Sequence, residues 1–146
     1  MDIGCGVAGI DVLLSQHYNG NVEIFLIDKT KVDKKLYYNF EKRGSFYNSL
    51  QISKSILTAN GVNRNKIHLQ EATENNEIRF NQNFDIVISL ISWGFHYPVS
   101  TYLDRVYIKM NKNGIRIIDV RKNTNSEKDI EKNLAIIKLF LKLKNI

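Results

Sequence analysis

The sequence predicts an α/β domain built on a doubly wound parallel sheet, and three observations carry that prediction. Short β-branched or aromatic runs recur along the chain, helical periodicities fill the stretches between them, and a glycine-rich turn joins the first strand candidate to the first helix. Strands buried on both faces read as continuous apolar runs, which describes Val22–Asp28, Lys66–Gln70, Phe84–Leu90 and Ile115–Val120.

In chain order, the first strand candidate is only Met1, Asp2 and Ile3, ahead of Gly4. The first helix is expected over Gly9–Tyr18, where Ile10, Leu13 and Leu14 share a face and Asn19-Gly20 stops it. The second is expected over Phe46–Ala59, with Phe46, Leu50, Ser53 and Leu57 at helical spacing and Asn60-Gly61 at its end. Pro98 opens a third, with Val99, Tyr102, Leu103, Val106, Tyr107 and Met110 three and four residues apart before Asn113-Gly114. The last starts near Ser126, with Glu127 and Asp129 opposing the dipole and Ile130, Leu134, Ile137 and Leu141 on one face. No linker or repeat divides the chain, so residues 1–146 read as one domain. A very short central strand and an ending one helix past the fifth strand make that domain read as incomplete at both ends.

A length of 146 residues excludes a multidomain protein, and 43% hydrophobic with 25% charged residues is ordinary for a soluble one. Apolar runs such as Ile86–Ile91 fall well short of the roughly 18 to 20 residues a membrane span needs, and no leader is recognisable. A cytoplasmic location without membrane contact is expected. Cys5 is the sole cysteine, which excludes an internal disulfide and a zinc site of the usual kind. A net charge of +6 invites a nucleic-acid partner, but Asn, Lys and Ile supply 51 of the residues, so the lysine excess reads as a compositional bias solvated at the surface. Nucleic acid is therefore not the expected partner. Local excesses of base at Lys29–Lys54 and Arg105–Lys122 suit an anionic small substrate equally well.

The chemistry concentrates in Asp2-Ile-Gly4-Cys-Gly6-Val-Ala-Gly9, followed 22 residues after Gly6 by Asp28 at the end of the next strand. Glycines let the backbone turn sharply and approach a ligand, the following helix presents N–H groups and a positive dipole end, and a carboxylate at the second strand's tip can accept both hydroxyl protons of a ribose. The pattern indicates a nucleotide-type cofactor. A plain tight turn before a helix is the alternative.

On these residues the chain resembles the class I S-adenosylmethionine-dependent methyltransferases, whose first motif is an acid followed by a Gly-x-Gly-x-x-Gly-like loop. The resemblance implies a Rossmann-like sheet of order 3-2-1-4-5 and the cofactor S-adenosyl-L-methionine. It also implies Asp2 towards the cofactor's ammonium group, Gly4, Gly6 and Gly9 beneath it, Asp28 on the ribose, and Glu71 and Ala72 flanking the adenine. Ser89 and Ser92, after the fourth strand, are candidates for the methionine end.

Methyl transfer asks the protein to align an acceptor and remove its proton. The segment Ser89–Pro98 follows the fourth strand at the carboxyl edge, where such sheets bind ligands. His96 is the candidate general base, a helix-capping histidine being the alternative. Trp93, Phe95 and Tyr97 form either an aromatic wall for the acceptor or part of the core. Arg121, with Lys122, either meets an anionic sugar or nucleotide carrier or stays solvated, and His17 and His68 are expected to be structural. No acid lies between Ser89 and Ser100, so a catalytic metal is not expected, and the two prolines of amino-methylating enzymes are missing. Tyr37-Tyr38-Asn39-Phe40, Phe46-Tyr47-Asn48-Ser49, Trp93–Pro98 and Ile118-Asp-Val-Arg121 resemble bacterial sugar O-methyltransferases, which implies a carbohydrate hydroxyl as the acceptor. The rivals are an NAD-dependent oxidoreductase, a truncated non-catalytic remnant of a methyltransferase, and a nucleic-acid methyltransferase.

Overall fold

The computed structural model describes residues 1–32 and 47–133. Its main sheet contains β1 (Asp2–Ile3), β2 (Ile24–Asp28), β5 (Ile67–Glu71), β6 (Phe84–Ser89) and β7 (Met110–Ile118), while β3 (Lys31–Val32) and β4 (Tyr47–Asn48) form a separate antiparallel pair. The helices are α1 (Gly9–His17), α2 (Leu50–Ala59), α3 (Leu103–Ile108) and α4 (126–133). The sheet order is β5-β2-β1-β6-β7 and every pairing is parallel. That is the expected doubly wound order 3-2-1-4-5.

A central strand of two residues holds because its neighbours bond to the residues on either side of it. The Met1 ammonium donates to the Ile86 carbonyl at 2.8 Å, the Ile88 N–H to the Met1 carbonyl at 2.9 Å, and the Gly4 N–H to the Ile27 carbonyl at 2.7 Å. Pairing therefore extends beyond Asp2 and Ile3 at both ends. On one face of the sheet, Ile3, Phe25, Ile27, Phe84 and Val87 pack with Trp93, Val99, Tyr102, Leu103 and Val106. On the other, Ile24, Leu26 and Ile67 pack with Ala8 and Val12 of the α1 region and with Leu50, Leu57 and Val62. Leu26 and Leu57 are completely buried, and each such side chain contributes roughly 1.5–3 kcal/mol.

Two elements differ from the sequence expectation. The second helix begins at Leu50, because the Ser49 hydroxyl accepts the Ile52 N–H at 3.3 Å and caps it there; Phe46 lies outside the described residues, as do Leu134, Ile137 and Leu141. The segment after Pro98 is not one helix ending at Asn113-Gly114. It makes a 3₁₀ turn over Val99–Thr101, then α3, and enters β7 at Met110. Phe84 pairs with Met110 and Ile86 with Ile115, so the strand bulges between them, with Asn113 at φ 73°. At Gly114 a Cβ would stand 2.8 Å from Met110 Cε and 3.0 Å from the Phe84 carbonyl. Asn113-Gly114 thus shapes a bulge rather than stopping a helix.

Candidate site at the carboxyl edge of β1 and β2

Strand register sets the height of each acid. Ile3 faces Ile27 and Asp2 faces Leu26, so Gly4 stands level with Asp28 at the carboxyl edge, while Asp2 lies two residues, about 7 Å, lower. From Gly4 the chain turns with φ +74° there, +52° at Gly6 and +59° at Ala8, and α1 starts at Gly9 with no side chain capping its N-terminus. Gly9 itself has no positive φ and open space around it.

Asp28 closes this turn. Its Oδ2 accepts the Gly6 N–H at 2.7 Å and, more weakly, the Cys5 thiol at 3.8 Å, while Oδ1 accepts the Lys29 N–H at 2.7 Å. A carboxylate offers about four acceptor positions, so Oδ1 retains capacity for a further donor. Burial raises the Asp28 carboxyl above its ordinary pKa, against the opposing pull of the Lys29 and Gly6 amides. Burial also raises the Cys5 thiol, with Asp28 and Asp2 adding to the effect, so Cys5 stays protonated and is no nucleophile. Beside Asp28, the Ala72 N–H donates to the Asp28 carbonyl at 2.8 Å, and exposed Glu71 accepts the Thr30 N–H at 2.9 Å. Asp28, Glu71, Ala72, Gly4 and Gly6 therefore line one continuous edge.

Two further residues fix the turn from the opposite side. Asn48 Nδ2 and the Ser53 hydroxyl both donate to the Gly6 carbonyl, the latter at 2.6 Å, and Asn48 Nδ2 also reaches Ser53 Oγ at 2.7 Å. Ser53 was legible only as a polar residue in the apolar stripe of the second helix. Asn48 drew notice only within the segment Phe46-Tyr47-Asn48-Ser49, and its bond to the Gly6 carbonyl was not legible because it depends on the β3–β4 pairing.

The other predicted residues fall elsewhere. Asp2 is 3% exposed and faces Asp11 of α1; Asp2 Oδ1 and Asp11 Oδ2 meet no hydrogen-bond donor. Burial raises both carboxyls, Asp2 well above its ordinary value and Asp11 to about 6, and the Asp11 charge raises Asp2 further. Ser89 is completely buried; its hydroxyl donates to the Ile3 carbonyl at 2.6 Å and accepts the Trp93 N–H at 3.0 Å. Its hydrogen bonds brace the loop after β6 against β1, not a ligand. Trp93 is likewise a core residue, fully buried with Nε1 donating to the Val99 carbonyl at 2.7 Å, so it forms no wall of an open cleft.

Ser92 sits directly over Gly4, where a Cβ would come within 1.8 Å of Ser92 Oγ. Tyr97 stands next to it, its hydroxyl 3.4 Å from Ser92 Oγ and raised in pKa by burial. His96 is half-buried, with its N–H on the Ser92 carbonyl at 2.7 Å and its ring edge-on to Phe95. Arg121 lies 4.5 Å over the Phe95 ring and its N–H reaches the Gly94 carbonyl at 3.2 Å, which joins the end of β7 to the same loop. His17 stacks edge-on with Tyr18, and His68 stacks on Phe25 and pairs with Glu23 at 3.1 Å, so both are in structural contacts.

Among the described residues, no three His, Cys, Asp or Glu side chains approach closely enough to hold a metal, and no helix is long and apolar enough to cross a membrane. In comparisons with known proteins, no family model, no curated protein and no solved structure matches this chain.

Proposed function

We propose that the chain binds S-adenosyl-L-methionine at the carboxyl edge of β1 and β2 and serves transfer of its methyl group to a hydroxyl acceptor, most simply a carbohydrate. The observation that carries this reading is the Asp28 carboxylate, held by the Gly6 N–H at 2.7 Å with acceptor capacity left on Oδ1. The residues fit the nucleoside half of that cofactor. Asp28 keeps acceptor capacity that suits ribose hydroxyls, Glu71 and Ala72 extend the edge beside it, and the positive φ of Gly6 turns the chain beneath that edge. The cofactor supplies a sulfonium-activated methyl group, so the chain's own tasks are to orient the acceptor and take its proton. His96 is the residue suited to hold that proton at neutral pH, and Arg121, stacked on Phe95, offers charge to an anionic acceptor.

A second reading, a remnant that binds no cofactor, is favoured by the opposite end of the site. Ser92 fills the space over Gly4, and Asp2 lies below the edge, turned to Asp11 rather than to a cofactor ammonium. Calorimetric titration with S-adenosylhomocysteine separates the two. Saturable binding that Asp28→Ala weakens by roughly 1–3 kcal/mol is expected. No heat with S-adenosylhomocysteine supports the remnant, and NADH binding in its place supports an oxidoreductase.

A further inference from the structure

Gly6 is held from two directions, although a glycine at φ +52° has little steric reason of its own to stay in one conformation. Towards β2 its N–H donates to Asp28 Oδ2 at 2.7 Å, and towards α2 its carbonyl accepts from Asn48 Nδ2 and from the Ser53 hydroxyl at 2.6 Å. Both donors are buried, Asn48 at 4% exposure and Ser53 completely. The rest of α2 shows what Ser53 would otherwise do. Ser55 and Thr58 return their hydroxyl protons to the carbonyls four residues back, at 2.9 and 2.8 Å, the ordinary bond of a helical hydroxyl. Ser53 has one proton to give and stands 3.2 Å from the Ser49 carbonyl, farther than from Gly6. Asn48 Nδ2 carries two protons, which match its two acceptors, the Gly6 carbonyl and Ser53 Oγ at 2.7 Å. The three groups close a triangle in which every donor is used.

Asn48 is placed by the segment that carries Asp28. It pairs with Lys31 in the β3–β4 ladder, just beyond the tip of β2, so the holds on the N–H and on the carbonyl of Gly6 both depend on that tip. We infer that Asn48 and Ser53 are positioning residues of the cofactor site: by pinning the Gly6 carbonyl they keep the Gly6 N–H on Asp28 Oδ2, with the remaining capacity of Oδ1 kept for the ribose. The inference rests on the reading of Asp28 as the ribose acceptor. In this role neither residue touches the cofactor. A turn already held in its binding conformation spares the ligand the cost of ordering it.

Hydrogen exchange at single amides and calorimetry with S-adenosylhomocysteine, both on the full chain, test it. The Gly4 N–H is the internal reference, because it lies in the same turn but is bonded to the Ile27 carbonyl of β2 at 2.7 Å. In Ser53→Ala and in Asn48→Ala the Gly6 amide is expected to exchange about tenfold faster while Gly4 keeps its rate, and S-adenosylhomocysteine to bind about tenfold more weakly, the size of one lost hydrogen bond. Ser55→Ala, at an exposed position of the same helix, leaves all three quantities unchanged. Gly6 and Gly4 accelerating together would mean that the variants loosen the fold as a whole, and unaltered affinity in both variants would mean that binding does not draw on the held turn. Either result overturns the inference and leaves the cofactor reading standing. A wild-type chain that binds no S-adenosylhomocysteine overturns the cofactor reading itself, and the positioning role with it.

Discussion

Asp28 and Asp2 sit on adjacent strands and carry the same chemical group, yet their surroundings are opposite. Asp28, at the tip of β2, accepts two backbone N–H groups at 2.7 Å and is aligned with the glycine turn. Asp2, opposite Leu26, is sunk beneath the edge against another carboxyl and has an oxygen with no donor. Asp2 is buried and Asp28 half-buried, and desolvation raises both. The difference lies in register and in what the backbone offers: the turned chain at Gly6 points an amide at Asp28, while at the level of Asp2 both neighbouring strands have already spent their amides on the sheet. Position in a motif thus fixes the kind of residue, and pairing register fixes what that residue can reach.

The same contrast separates the open tip of β2 from the loop after β6, which closes over Gly4, and it can be broken from the loop side. Trp93 anchors that loop, so Trp93→Ala is expected to cost roughly 3–5 kcal/mol in urea denaturation, the range for emptying a buried aromatic site. A loss below about 1 kcal/mol would mean the loop does not rest on Trp93 and that Ser92 is free to leave Gly4. Smaller, and aimed at the contact itself, is Gly4→Ala. The added methyl would meet Ser92 Oγ at 1.8 Å and Ser92 Cβ at 2.5 Å in a backbone of φ +74°, an expected loss of roughly 1–3 kcal/mol. Ser92→Gly in the same chain should restore part of it, and alone should tighten S-adenosylhomocysteine binding by uncovering Gly4. If the double variant is no more stable than Gly4→Ala, strain at φ +74° and not the Ser92 contact sets the cost.

The architecture was legible because its signals are local and repeated. Apolar β-rich runs separated by helical spacings dictate a parallel sheet whatever the loops do, and Asp28 could be found by counting to the end of β2. The roles of Ser89 and Trp93 were not legible, because a serine or tryptophan beyond a strand reads the same whether it turns to the cleft or the core. The choice rests on Ile3 and Val99 carbonyls that happen to lie within reach. The break after Pro98 escaped for a related reason. Tyr107 and Met110 keep helical spacing from Leu103, but Phe84 offers Met110 a strand partner, and that tertiary pairing overrides the periodicity. Asp11 escaped too, since an acid in a helix's first turn is an ordinary dipole partner until the acid beneath it is seen.

That hidden pair gives the smallest effect and the sharpest contrast with Asp28. The folded chain holds protons on Asp11 and Asp2 more tightly than the unfolded chain does, because burial disfavours the charge of both and the Asp11 charge disfavours that of Asp2 further. Between the ordinary carboxylate value, about 4, and the Asp11 value of about 6, the folded state therefore binds more protons than the unfolded state, and stability falls as pH rises through that window. Asp11→Asn replaces a carboxyl pair with an amide that can donate to Asp2, so it should raise stability near neutral pH by on the order of 1–2 kcal/mol and flatten the slope across the window. Urea midpoints of both proteins measured from mildly acidic to neutral pH provide the check. A wild-type midpoint that rises with pH in this range would mean that Asp2 and Asp11 are ionised and paired with cations, as Asp28 is satisfied by amides, and the contrast between the two acids would vanish.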